Sequence, residues 1–222
     1  SSGSTVVNNG SIERLSLGGA ADVTNSETGE IQRLVVGSTA ETLAREDGLP
    51  YATDSVIVNN GAMCNESHKA GTEDSEQRNI YLYTRCTFEN NGTIGAKSRE
   101  EDEYGGVIYL GYYGYSDAHD GLTLTNSGTI HAGSRDNNGR QIFTLFISGG
   151  ETKTVHVNVY NEGNGTIKGS AVLYNDNPGP DGDIKLVTTI VDPGKQDVNS
   201  SVTTEVNLTI APDKDTLPGG GD

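Results

Sequence analysis

The sequence predicts an all-β protein, a right-handed parallel β-helix with irregular loops and a strand-rich C-terminal cap. Three observations lead there. A short phrase recurs six times along 222 residues, which is the signature of a repeating stack. No long segment carries the i, i+3, i+4 apolar stripe of a helix. The apolar share is only 32%, with thirty glycines, three Phe and no Trp. That is too thin for a compact globule but enough for a narrow solenoid with few inward residues per rung.

The phrase is an apolar residue, a variable one, Asn, one to three residues, Gly, one residue, then Ile or Met. Its copies begin at Val6, Val23, Ile57, Phe88, Leu124 and Val159. Its last apolar residues are Ile12, Ile31, Met63, Ile94, Ile130 and Ile167. The apolar residues before Asn read as a strand with alternate side chains inward. Asn and Gly tolerate left-handed backbone angles and suit the bend that follows. The Ile or Met after the bend returns an aliphatic side chain to the core. Asn residues stacked rung upon rung can hydrogen-bond to one another in a ladder.

Glycines of successive copies lie 19, 32, 31, 36 and 37 residues apart. This predicts a rung of about twenty residues, or somewhat more, interrupted by loops of unequal length. Second-strand candidates lie between copies, at Ile80 to Tyr83, Val107 to Leu110, Ile142 to Ile147 and Ala171 to Tyr174. The chain therefore divides into β-helix rungs over 1–175, further rungs or a capping hairpin over 176–211, and a linker-like tail over 212–222. The opening Ser1-Ser2-Gly3-Ser4 reads as a processed start.

Thirty-one acidic residues against fifteen basic ones give a formal charge of −16. Nucleic acid and anionic membrane surfaces are poor partners for such a chain, and no segment has the apolar length of a membrane-spanning helix. Cys64 and Cys86 are the only cysteines. They fit one disulfide in an oxidising compartment, the other reading being two thiols. No Cys-x-x-Cys or Cys/His cluster suggests a metal, and no cofactor motif is present.

Asn-Asn-Gly-Thr-Ile (90–94), Asn-Ser-Gly-Thr-Ile (126–130) and Gly-Asn-Gly-Thr-Ile (163–167) resemble the repeats of autotransporter passenger domains, above all AIDA-like and self-associating adhesins. The resemblance covers roughly residues 5–175. It implies a bacterial passenger, or part of one, displayed outside the outer membrane by a translocator barrel. Its implied role is non-enzymatic: adhesion to a host-cell surface, matrix protein or glycan, or self-association between bacteria. Parallel β-helices also carry polysaccharide lyases and tailspike-type hydrolases, and some serve as inert stalks.

Catalysis on glycosides needs two converging carboxylates. Asp117-Ala118-His119-Asp120 is the best candidate segment, followed by Asp181 with Asp183, and polar loops are the preferred reading of both. The acidic groups Glu73, Asp74, Glu76 and Glu100 to Glu103 match no calcium-loop pattern. Asn9, Asn91 and Asn164 head glycosylation sequons that coincide with the bend phrase. The tyrosines say more. With Ile80, Leu82, Ile108, Leu110 and Leu173 inward, alternation places Tyr81, Tyr83, Tyr109 and Tyr174 outward on one face. Tyr112, Tyr113 and Tyr115 form a loop at its rim. Such a row is either a binding surface or a stacked ladder that stabilises the sheet.

Overall fold

A computed structural model describes residues 3–37, 54–65, 68–69, 78–95, 103–104, 106–111, 118–131, 143–148, 155–174, 186–191 and 205–210. They form a parallel β-helix with three faces per rung. The first face contains strands Ser4–Asn8, Ala21–Asn25, Ser55–Asn59, Cys86–Asn90, Leu122–Asn126, Val155–Asn161 and Leu186–Val191, paired in that order. The second holds short strands, Ser11–Ile12, Glu30–Ile31, Ala62–Met63, Thr93–Ile94 and Thr129–His131. The third holds Leu15–Leu17, Leu34–Val36, Ile80–Leu82, Ile108–Leu110 and Phe143–Ser148. Strand Thr166–Tyr174 runs through both the second and the third face, pairing with Thr129–His131 at its start and Phe143–Ser148 at its end.

Register follows the phrase. Val6, Val23, Ile57, Phe88, Leu124 and Val159 stack in one inward column. Ile12, Ile31, Met63, Ile94, Ile130 and Ile167 form a second. The third face adds Leu15, Leu34, Ile80, Ile108 and Leu145 beside Leu17, Val36, Leu82, Leu110 and Ile147. From Ile31 to Ile147 almost every member is wholly buried, so each rung closes a small aliphatic triangle. At about 25 cal/mol per Å² of apolar surface, such columns are the main favourable term.

The six phrase asparagines are all buried and form a continuous ladder. Nδ2 of Asn8 donates to Oδ1 of Asn25 at 2.8 Å, and Asn25 to Asn59 at 2.8 Å. Asn59 donates to Asn90, Asn90 to Asn126 and Asn126 to Asn161, each at 2.7 Å. The second Nδ2 proton finds backbone carbonyls at the bend, as in Asn25 to Gly29 O at 3.1 Å and Asn161 to Gly165 O at 2.8 Å. Successive ladder members are 17, 34, 31, 36 and 35 residues apart. The shortest rung is therefore 17 residues, and the remaining length is insertion.

The phrase glycines stack beside the ladder, for a different reason from the one the bend suggested. None of them has positive φ; the left-handed glycines are Gly37, Gly95, Gly106, Gly111, Gly121 and Gly163. What the phrase positions require is close approach. A Cβ on Gly92 would strike the carbonyl oxygen of Gly61, and one on Gly128 that of Gly92. Those carbonyls accept the amides of Thr93 and Thr129, both at 2.9 Å, so they cannot turn away.

The long insertions enter at the other two corners, between the second and third faces and between the third and first, whereas the Asn–Gly corner takes at most two extra residues, in the Asn25 and Asn161 rungs. Two of them meet: His68–Lys69 pairs antiparallel with Glu103–Tyr104. At the C-terminal end, Leu186–Val191 pairs in parallel with Val155–Asn161, and Glu205–Ile210 with Thr166–Tyr174. These two strands continue the stack as rungs rather than forming a hairpin with each other.

The expected Cys64–Cys86 disulfide is not formed; both residues are buried thiols. Register explains why. Cys86 stacks on Ser55 at the start of the first face, whereas Cys64 lies nine residues further along the Ser55 rung, after the second face. Cys64 has φ 52°, a left-handed corner that the next rung fills with Gly95 at φ 93°. Burial pushes the Cys86 thiol up to about 12, so it has little thiolate at neutral pH.

Two measurements check this account. Asn90→Ala leaves the Asn59 donor and the Asn126 acceptor without their ladder partner and is expected to cost about 3 kcal/mol in urea unfolding. Gly92→Ala should cost at least about 3 kcal/mol through backbone displacement. Asn91→Ala, removing exposed bonds to Asn60 and Ser127, should cost under about 1 kcal/mol; equal losses at Asn90 and Asn91 would refute the ladder's role. Thiol titration without reductant should find two thiols in unfolded protein and slow reaction of Cys86 in folded protein, whereas zero thiols after unfolding would restore the bridge.

Candidate functional site

Parallel pairing in register puts like positions directly above one another. On the third face only the middle residue of each three-residue strand points outward. The column reads Ser16, Val35, Tyr81, Tyr109 and Phe146. Tyr81 and Tyr109 stack with ring centroids 4.8 Å apart and planes 9° apart. Tyr109 and Phe146 are 5.6 Å apart and tilted by 40°. Tyr83 lies 5.5 Å from Tyr81, tilted by 45°.

Outward orientation and exposure part company here. Tyr81 points away from the core, yet only 6% of it is accessible. The Arg33 guanidinium sits 5.4 Å from its ring centroid, Tyr109 stacks on its ring, and Asn79 Nδ2 lies 3.5 Å from its hydroxyl. Tyr81 is thus a buried rung of an aromatic ladder, which corrects the expectation that it is an exposed contact residue. Tyr83, Tyr109 and Phe146 are half-buried. Tyr174 ends strand Thr166–Tyr174 and pairs with Ser148. Tyr112, Tyr113 and Tyr115 lie outside the described residues. Sequence reading missed Phe146 and Arg33. The alternation of Leu145, Phe146 and Ile147 carried the signal for the first; nothing local carried it for the second.

The face is framed by both decorated corners. Segments 64–79 and 95–107 lead into Ile80–Leu82 and Ile108–Leu110, while 37–54 and 111–121 connect the third face to the first. The acidic-loop candidates fall here. His119 is a buried plug: its Nε2 donates to Ser148 O at 3.0 Å, and a Cβ on Gly111 would strike its ring. Asp120 accepts from the backbone amide of His156 at 2.9 Å and lies 3.1 Å from its Nδ1. Both residues therefore pin one rung to the next. Asp54 and Arg85 pair at 2.5 Å in the rungs just before, and the Arg85 hydrogen bond holds the Asp54 carboxyl below the usual carboxylate range. Among the described residues no group of three His, Cys, Asp or Glu side chains is placed to hold a metal ion. Asp117, Asp181, Asp183, Glu73, Asp74, Glu76 and Glu100 to Asp102 lie outside the described residues.

Tyr81→Ala should destabilise the fold by about 3 kcal/mol, the cost of deleting a buried aromatic ring, when followed by urea unfolding. Tyr109→Val, a half-buried position with high strand preference, should cost about 1 kcal/mol or less; a Tyr81→Ala protein as stable as the parent would show the ring to be solvated. Comparison of the chain with protein-family models, with curated proteins and with solved structures finds no match.

Proposed function

We propose that the chain is a non-enzymatic adhesin, the projecting passenger part of an autotransporter on a bacterial surface. In this reading it binds a host-cell surface, matrix protein or glycan, or another copy of itself. The observation that carries the proposal is the asymmetry of the three corners. The Asn–Gly corner takes at most two extra residues on the described rungs, while the other two carry the long insertions and border the aromatic third face. Length added beside one face gives that face an individual surface without changing the scaffold. The half-buried rings of Tyr109 and Phe146 add large, stiff contact area there. The resemblance of the repeats to AIDA-like and self-associating passengers gives the same reading.

Purified chain should adhere to cultured cells or matrix-coated wells, or sediment as self-associated species. Tyr109→Val should lower that binding about tenfold if the ring anchors the contact, since an anchoring aromatic is worth about 1–2 kcal/mol. Thr123→Val on the first face, away from the aromatic column, should leave it unchanged. Well-folded Tyr109→Val protein with full adhesion would move the contact off the third face. Absence of any adhesion or association by the parent chain would leave the stalk reading in its place.

A further inference from the structure

The first rung has the chemistry of an interior one, and its phrase glycine is the clearest sign. On the five later copies, at Gly29, Gly61, Gly92, Gly128 and Gly165, a Cβ would strike a backbone oxygen of the rung before. Gly10 holds the same place on the first rung, yet among the described residues nothing lies within 4 Å of a Cβ there. Its φ is not positive either. Neither steric contact nor backbone conformation among the described rungs therefore calls for glycine at position 10. A bend carbonyl stacked on it would.

Three further features agree. Oδ1 of Asn8 takes the Gly10 amide at 3.1 Å, but among the described residues no carboxamide reaches it as Asn8 reaches Asn25 at 2.8 Å. The apolar columns end on half-buried Val6, Ile12 and Leu15, whereas their successors Val23, Ile31 and Leu34 are at most 1% exposed. Strands Ser4–Asn8, Ser11–Ile12 and Leu15–Leu17 contain no charged residue and no proline, the residues that guard an exposed edge. Residues 4–19 carry one acid and one base in a chain of net −16, so another strand meets no net repulsion there.

We infer that the open edge of the first rung is a docking site for one more rung of the same repeat, carried on the same polypeptide. The edge specifies its occupant. It asks for a strand backbone, a carboxamide proton for Asn8 Oδ1 and aliphatic side chains over Val6, Ile12 and Leu15. It also asks for a bend carbonyl over Gly10, accepting from Ser11 as Gly10 O accepts from Glu30 at 2.7 Å. A second copy meeting this one edge to edge does not supply the carboxamide proton, because Asn8 Nδ2 already donates to Asn25 and to Glu30 O. A rung in the same polypeptide needs only a short link, as residues 18–20 already join the first rung to the second. Stacking at this edge does not depend on the third face being adhesive.

Urea unfolding of Gly10→Ala provides the test. In the chain as it stands the change should alter the unfolding equilibrium constant by less than about threefold, against about a hundredfold or more for Gly92→Ala. A repeat of residues 4–20 joined directly ahead of Ser4 should raise the unfolding midpoint. In that longer chain Gly10→Ala should cost at least about tenfold, and Asn8→Ala made in the added copy alone should cost at least about fivefold. A large loss from Gly10→Ala in the chain as it stands would show the edge already covered and overturn the proposal. An unchanged midpoint, or equal Gly10→Ala losses in both chains, would overturn it too. If the longer chain does not fold, a fluorescein-labelled peptide of residues 4–20 is the probe on the chain as it stands, read by anisotropy. Binding that Gly10→Ala weakens at least fivefold supports the docking edge; no binding, or binding indifferent to Gly10→Ala, sinks it.

Discussion

A buried carboxamide in every described interior rung is the constraint on which this molecule rests. Each ladder asparagine from Asn25 to Asn126 accepts from the rung before and donates to the rung after. An unsatisfied polar group in such a place costs about 1–3 kcal/mol, so every rung must arrive in register or leave two groups unmet. The stacked glycines enforce the same spacing sterically, because the carbonyls of one rung occupy the space of a Cβ on the next. A slip of one residue would also turn an inward column outward. Polar pairing, steric fit and apolar burial therefore select one alignment.

That strictness at one corner frees the other two. Ladder spacing varies from 17 to 36 residues, yet the inward columns keep their order. Closing a loop costs only about 0.6 kcal/mol more for each doubling of its length, which is small beside a displaced rung. Long insertions are tolerable as long as they leave and rejoin the stack at corners that carry no ladder. The antiparallel pairing of His68–Lys69 with Glu103–Tyr104 shows that insertions of neighbouring rungs also engage each other. Variation in length is thus directed to the borders of the third face.

Register also decides what an outward aromatic can do. In a parallel stack the residue above Tyr81 is Tyr109 and the one above that is Phe146, about one strand spacing apart. Neighbouring rings then meet face to face, and the face of the ring becomes internal to the sheet. The column is first a stabilising element: Tyr81 is buried, and Tyr109 and Phe146 are half-buried. The ladder reading and the contact-surface reading consequently apply to different members of one column.

The sequence by itself determined the repeating unit. Asn, Gly and Ile at short offsets are local signals, so the parallel β-helix, the Asn ladder and the inward columns through Ile57, Phe88 and Ile94 were legible in the sequence. Alternation along Ile80 to Leu82 and Ile108 to Leu110 also gave the sides of those strands correctly, all four terminal residues being wholly buried. Tertiary structure alone decided what depends on stacking across insertions. It brought Arg33 over Tyr81, 48 residues away in the chain, and so buried a ring that alternation places outside. It set Cys64 and Cys86 at different corners, which composition could not distinguish from a bridge. It gave the phrase glycines their reason, contact with the rung below, a property that no single rung possesses. Local pattern fixes which way a side chain points; the neighbour it meets there depends on how much chain is looped out between rungs.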